Sequence, residues 1–138
     1  MIPNEITLNG KFVYYNSLYF NDLLPLPSLK TMHSYRTLGC FSCHVNDDGD
    51  IVNPIIEISN NYDYTEEQFR GVLIHEMIHY YLCYVKEDQK CLHGKAFKKM
   101  SNTFKEKWNI NITSSVNLSD YKPRKGKCTL IARLLSLL

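Results

Sequence analysis

Thr65-Glu66-Glu67-Gln68-Phe69-Arg70-Gly71-Val72-Leu73-Ile74-His75-Glu76-Met77-Ile78-His79-Tyr80-Tyr81-Leu82-Cys83-Tyr84-Val85 is the stretch on which the fold turns. Thr65 followed three residues later by Gln68 has the form of a capping box, in which the two side chains satisfy each other's backbone amides at a helix start. A helix is predicted from there to about Val85. Ile74, Ile78 and Leu82 fall on one stripe at i, i+4 and i+8. Leu73, Met77 and Tyr81 make a neighbouring stripe, so apolar residues cover much of the circumference and the helix is expected to be largely buried. His75 and His79 stand four apart within it. That spacing brings both imidazoles to one face, a turn apart, where two nitrogens can meet one metal ion. Glu76 falls on the same side. A carboxylate there need not be a ligand, because it can stand beside a metal-activated water and take its proton. Burying these three groups among Ile, Leu and Met is costly without partners, and a Zn2+ ion would partner them all.

A catalytic zinc site takes three protein ligands and keeps one position open. His93 is the best third ligand. It follows a short polar connection, Lys86 to Cys91, and sits where a last clear helix begins, running from about Gly94 to Trp108. A helix N-terminus disfavours a charged imidazolium and so favours the metal-binding form. Asp88 and Glu87 are the runner-up ligands. In the last helix Phe97, Met100, Phe104 and Trp108 are expected to face the core, with Lys95, Lys98, Lys99, Lys105 and Lys107 mostly elsewhere on it.

Working outward on the other side, Thr7 to Phe20 reads as a first amphipathic helix, with Leu8, Phe12, Tyr15 and Tyr19 on one stripe. Asn21 to Pro27 stops it, since two prolines cannot continue a helix. Three short strands are predicted next: Leu29 to Tyr35, Leu38 to Asn46 and Pro54 to Ser59. Asp47-Asp48-Gly49-Asp50 reads as the hairpin turn between the last two. It is not a calcium loop, because that pattern needs an acidic residue eleven positions after Asp47, where Ile58 stands. Cys40-Phe41-Ser42-Cys43-His44 spells a haem-attachment, half-ribbon or redox motif. In a strand, however, residues three apart point to opposite faces, which favours ordinary strand cysteines. His33 and His44 lack helical metal spacing and read as structural or surface residues.

The chain has 138 residues, 44% hydrophobic and 22% charged, enough for one domain with a real core. Domain limits of 1–115 are expected, with 116–138 a basic and apolar tail in which Leu130, Ile131, Leu134, Leu135 and Leu138 form a short amphipathic helix. The N-terminus lacks the pattern of a secretory signal, and no run is apolar enough for a membrane span. With five Cys, an odd number, this points to free thiols in a reducing cytoplasm. The net charge of +2 hides an asymmetry. Residues 1–69 carry 3 Lys/Arg against 9 Asp/Glu, and residues 70–138 carry 13 against 5. A basic second half points either to a solvated helix face and tail or to a polyanion such as DNA as a partner.

His75-Glu76-Met77-Ile78-His79, then about a dozen residues, then His93-Gly94-Lys95-Ala96-Phe97, resembles the SprT-like metallopeptidase domain, which includes Spartan-type proteins. Tyr15 to Pro25 resembles that family's N-terminal helix and following turn. Gly39 entering a strand and Pro54 to Ile58 before the metal helix fit as well. The resemblance covers about residues 7 to 112. It implies an α+β, zincin-like minimal metallopeptidase domain with an N-terminal helix, a small three-stranded sheet, the metal helix and a following Lys-rich helix. It also implies Zn2+ held by His75, His79 and His93, with Glu76 as the catalytic base hydrolysing peptide bonds of a protein or peptide substrate. Some members carry a C-terminal zinc ribbon with two Cys-x-x-Cys pairs. After residue 112 this chain has Cys128 alone. Spartan-type proteins cleave proteins crosslinked to DNA. The counterpart here of their DNA-binding segments is at most the basic patch Lys122 to Lys127. The rival readings are a catalytically inactive metal-binding or DNA-binding module and a zinc hydrolase acting on something other than protein. Glu76 argues against the first, since a structural zinc site needs no base. An extended substrate is expected to pair with the edge of the sheet at Pro54 to Ser59. Tyr62, Tyr80, Tyr81 and Arg36 are candidates for a second electrophile.

Overall fold

A computed structural model describes residues 1–125. The expected C-terminal amphipathic helix, Lys127 and Cys128 lie outside the described residues. The order is α1 (Glu5–Tyr19), β1 (Ser28–Met32), β2 (Gly39–Val45), β3 (Ile51–Ser59), β4 (Tyr62–Asp63), α2 (Glu66–Tyr84), α3 (Lys95–Trp108), a 3-10 turn at Leu118–Asp120 and β5 (Lys122–Pro123). This is the α+β arrangement expected from the sequence.

Helices α1 and α2 begin where a side chain can replace a missing backbone partner, whereas α3 starts after Gly94 with no side-chain cap. Asn4 Oδ1 accepts from the Thr7 amide at 2.8 Å, so α1 starts two residues before the predicted Thr7. Its end is held by Asn16, a buried amide that donates to Leu24 O at 2.9 Å and accepts from Leu24 N at 3.2 Å. That clamp folds the proline-containing turn back against the helix. The capping box at Thr65 and Gln68 is present in both directions. Helix α2 lies in the middle of the molecule. Phe69, Leu73, Ile74, Met77 and Ile78 along it are fully buried, against α1, the sheet and α3.

The sheet corrects two expectations. Its order is β1-β3-β2, with β1 parallel and β2 antiparallel to β3. The segment Pro54 to Ser59 is therefore not an edge, because β3 is paired on both sides. Among the described residues, the free edge beside α2 belongs to β2. Strand β3 also begins at Ile51, three residues earlier than predicted. The hairpin turn forms as read: Asn46 N donates to Asp50 O, Gly49 N to Asn46 O, and Gly49 takes a φ of 81°. A proline inside a central strand is made possible by a bulge. The register steps from His44↔Val52 to Ser42↔Ile55, so Asn53 and Pro54 together face Cys43, and Asn53 adopts a left-handed φ of 54°.

The inward face of β2 runs beside α2. Gly39 meets Glu76 and Val72, the rings of Phe41 and Tyr80 stack at 5.3 Å, and Cys43 meets Cys83. Part of the described chain past residue 115 stays against the body. Leu118 and Tyr121 pack on the core, and β5 pairs with β4. No helix among the described residues is long and apolar enough to cross a membrane.

Candidate metal centre

His75 and His79 project from one face of α2, as their spacing requires. His93 arrives from the connection between α2 and α3, and the shape of that connection depends on Asp88. Its two carboxylate oxygens accept from the amides of Lys90, at 3.1 Å, and Leu92, at 3.0 Å. Asp88 thus spends its oxygens on the loop, and Glu87 is exposed. Neither runner-up belongs to the histidine cluster.

The three Nε2 atoms converge: His75 to His93 is 3.1 Å, His79 to His75 is 3.2 Å, and His79 to His93 is 3.0 Å. Hydrogen bonds alone do not explain this triangle. His75 Nδ1 lies 2.8 Å from the Thr113 carbonyl, which can only accept, so the ring proton sits on Nδ1 and Nε2 offers a lone pair. Lone pairs gathered this closely repel unless a cation lies among them. Tetrahedral ligands about 2.05 Å from a central ion stand about 3.3 Å apart, close to the separations found. The residues fit a metal ion: His75, His79 and His93 could hold one.

The electrostatics agree. Burial, with His79 and His93 nearby, pushes the pKa of His75 down to about 4, against the raising effect of Thr113. Burial and His93 push that of His79 down to about 4. Both rings are therefore neutral near pH 7, the form a ligand needs. Phe97, from α3, lies against all three, with ring centroids 4.8 Å from His75, 4.9 Å from His79 and 4.8 Å from His93.

Glu76 is 5% exposed. Its Oε1 stands 3.8 Å from His75 Nε2, too far for a hydrogen bond, and its Oε2 is buried with no partner among the described residues. Burial raises its pKa to about 7. Such a carboxyl is poised to take up and release a proton near neutrality. Gly39 leaves it room: a Cβ there would lie 3.0 Å from Glu76 Cγ.

A cleft of about 760 Å³ opens over these groups. Gly39 to Phe41 of β2 form one wall, and Thr113 to Val116 with Tyr121 form another. Of the electrophile candidates, Arg36 lines the cleft. The hydroxyls of Tyr80 and Tyr62 instead donate to the carbonyls of Pro25, at 2.8 Å, and Tyr35, at 2.7 Å. Tyr81 packs on Phe20, with ring centroids 5.8 Å apart. His33 and His44 are exposed and stand apart from the cluster.

Sequence reasoning missed Thr113, Tyr121 and the role of Asp88. Thr113 acts through a main-chain carbonyl 38 residues from its partner, which no side-chain pattern could signal. Asp88 was detectable in principle, since Asp accepting from amides two and four residues on is ordinary turn chemistry.

Comparison with curated proteins finds no match. The family model of the SprT-like family matches residues 8–117, a span that contains both helices of the cluster and the whole three-stranded sheet. The chain belongs to the SprT-like family.

Proposed function

We propose that the chain is a zinc-dependent metallopeptidase that uses Glu76 as its general base. The observation that carries this reading is the pairing of three convergent imidazole nitrogens with a buried, unpartnered carboxyl on the same helix. Zinc, when bound by His75, His79 and His93, would act as a Lewis acid and lower the pKa of water at its open position.

The chain's own residues supply the rest. Thr113 holds the His75 proton on Nδ1 and so keeps Nε2 directed inward. Phe97 braces the rings. Glu76 takes the proton of the attacking water on its carboxylate and passes it to the leaving amine. The free edge of β2 offers backbone groups for an extended peptide, so cleavage would follow backbone more than side chains. The basic second half supports DNA as an accessory partner.

Metal analysis and a peptide-cleavage assay, with and without DNA, on wild type and Glu76→Gln test this reading. About one zinc is expected in both proteins, with cleavage in wild type only. Equal cleavage by the variant refutes the assigned base, and no zinc in either refutes the site. Zinc without cleavage in wild type would favour a metal-binding module instead.

A further inference from the structure

Helix α2 carries a second set of reactive side chains one turn beyond its metal face. Cys83 follows His79 by four residues, is fully buried, and meets Cys43 of β2 with the two sulfurs 3.5 Å apart. The contact joins residues 40 apart in sequence. A disulfide needs its sulfurs at about 2.05 Å, an approach of about 1.5 Å that side-chain rotation of this pair can provide. The surroundings make the pair more than two adjacent thiols. Cys43 lies opposite the Asn53–Pro54 bulge, where the β2–β3 register is broken. It sits on the strand whose other edge is unpaired among the described residues, and the residues after it, His44 and Val45, are exposed. This end of β2 is held to β3 by the pairing of His44 and Val45 with Val52 and Ile51, and its hairpin turn is tied to the end of α2 by non-covalent contacts from Lys86 and Gln89, which can open where a covalent link cannot.

We propose that Cys43 and Cys83 are a redox-sensitive pair whose disulfide, formed by exchange with a low-molecular-weight disulfide, fastens the end of β2 to the end of the metal helix. Cys43 is half-buried and can be reached from outside. Cys83 is buried, and burial together with Cys43 raises its pKa to about 12, which keeps it a thiol until its partner has reacted. The Cys43 thiolate attacks one sulfur of the small disulfide, whose S–S bond breaks and releases one thiolate. Cys83 sulfur then attacks Cys43 sulfur in the mixed disulfide. The second small thiolate leaves, and the protons of the two cysteines pass to the two released thiolates. Two protein thiols are oxidised by two electrons and one small disulfide is reduced to two thiols. The strand fastened this way is the one whose first residues wall the cleft, so oxidation stiffens the rim of the site without touching the histidines. The proposal does not depend on the site's hydrolysing peptides.

The test uses the metal-loaded full chain in glutathione buffers of stepped oxidised-to-reduced ratio. Samples are acid-quenched, alkylated and mapped by mass spectrometry, with hydrogen exchange measured on the same material. A Cys43–Cys83 crosslinked peptide is expected in wild type and in Cys40→Ser, and none in Cys43→Ser. Amide exchange at Cys43 to Val45 should slow by about tenfold on oxidation. The half-buried Cys43 is the position varied because a change at Cys83 could disturb the core. The proposal is overturned if both cysteines stay alkylatable at every ratio, if Cys43 links to Cys91 instead, or if the crosslink forms with exchange unchanged.

Discussion

Replacing Gly39 with alanine tests how the fold places Glu76. The added methyl would lie 3.0 Å from Glu76 Cγ, 3.2 Å from Ile58 Cδ1 and 3.2 Å from Val72 Cγ1. Comfortable carbon contacts begin near 3.5 Å, so three neighbours must each give by a few tenths of an ångström. Ile58 and Val72 are packed in the core, and Glu76 is equally buried, but its carboxyl lines the cleft and its Oε2 has no hydrogen-bond partner among the described residues, so the Glu76 side chain is the one that yields. Overpacking of this kind costs about 1–3 kcal/mol, and for a domain of this size that lowers Tm by roughly 3–10 °C. A carboxylate pushed by up to an ångström should lose about 10–100-fold in kcat. Zinc content should stay unchanged, because no histidine is touched. Gly10→Ala is the control. It sits within α1 with nothing within 4 Å of its Cβ position, and should stabilise the chain by about 0.5–1 kcal/mol through helix propensity. Melting, metal content and peptide cleavage are measured on both. If Gly39→Ala melts and cleaves like wild type, the close passage of β2 does not position the carboxyl.

Three further outcomes are expected. In the metal-free protein, Glu76 has a folded pKa of about 7 against an ordinary 4.5, so the folded state holds a proton that the unfolded state has released. Its contribution is therefore full below pH 4.5 and lost as pH rises to about 7, so Glu76→Gln should gain stability over wild type across that window, approaching roughly 3 kcal/mol; a difference in Tm that does not grow with pH would refute the burial argument. Asp88→Ala removes both amide acceptors in the loop before His93 and should weaken zinc binding by about 10–100-fold in competition with a chromophoric chelator; unchanged affinity would show that the loop holds its shape without it. The oxidised chain, closed by Cys43–Cys83 across 40 residues, should be more stable by about 4 kcal/mol on chain-entropy grounds, and equal melting of reduced and oxidised protein would refute that gain.

Much of the site could be read from the sequence because its determinants are local. The capping box, the apolar stripes of α2 and the four-residue separation of His75 and His79 all lie within one helix. His93 could be found because the connection before it is short. The sheet was less legible. Nothing in Ser28–Met32 says that it pairs parallel with β3 and so pushes β3 to the centre; that pairing joins segments more than twenty residues apart and is decided by how both strands pack on α1 and α2. The sheet edge is expected at Pro54 to Ser59, and the bulge around Asn53 is what lets a proline stand in a central strand. Cys43 and Cys83 belong to different elements, and the Cys-x-x-Cys spelling set Cys43 beside Cys40 instead.

The bond from His75 to the Thr113 carbonyl has a consequence for how this site can change. Its acceptor is main chain, so no side-chain replacement at position 113 removes it, and an alanine scan through that segment would pass over it in silence. Only a change in the path of the backbone, by insertion, deletion or a proline between residues 112 and 121, can move the oxygen. The histidines are exposed to point mutation, whereas the group that orients one of them is exposed only to changes in chain length and direction. Drift at the exposed residues 113–117 should therefore be free in composition and restricted in length.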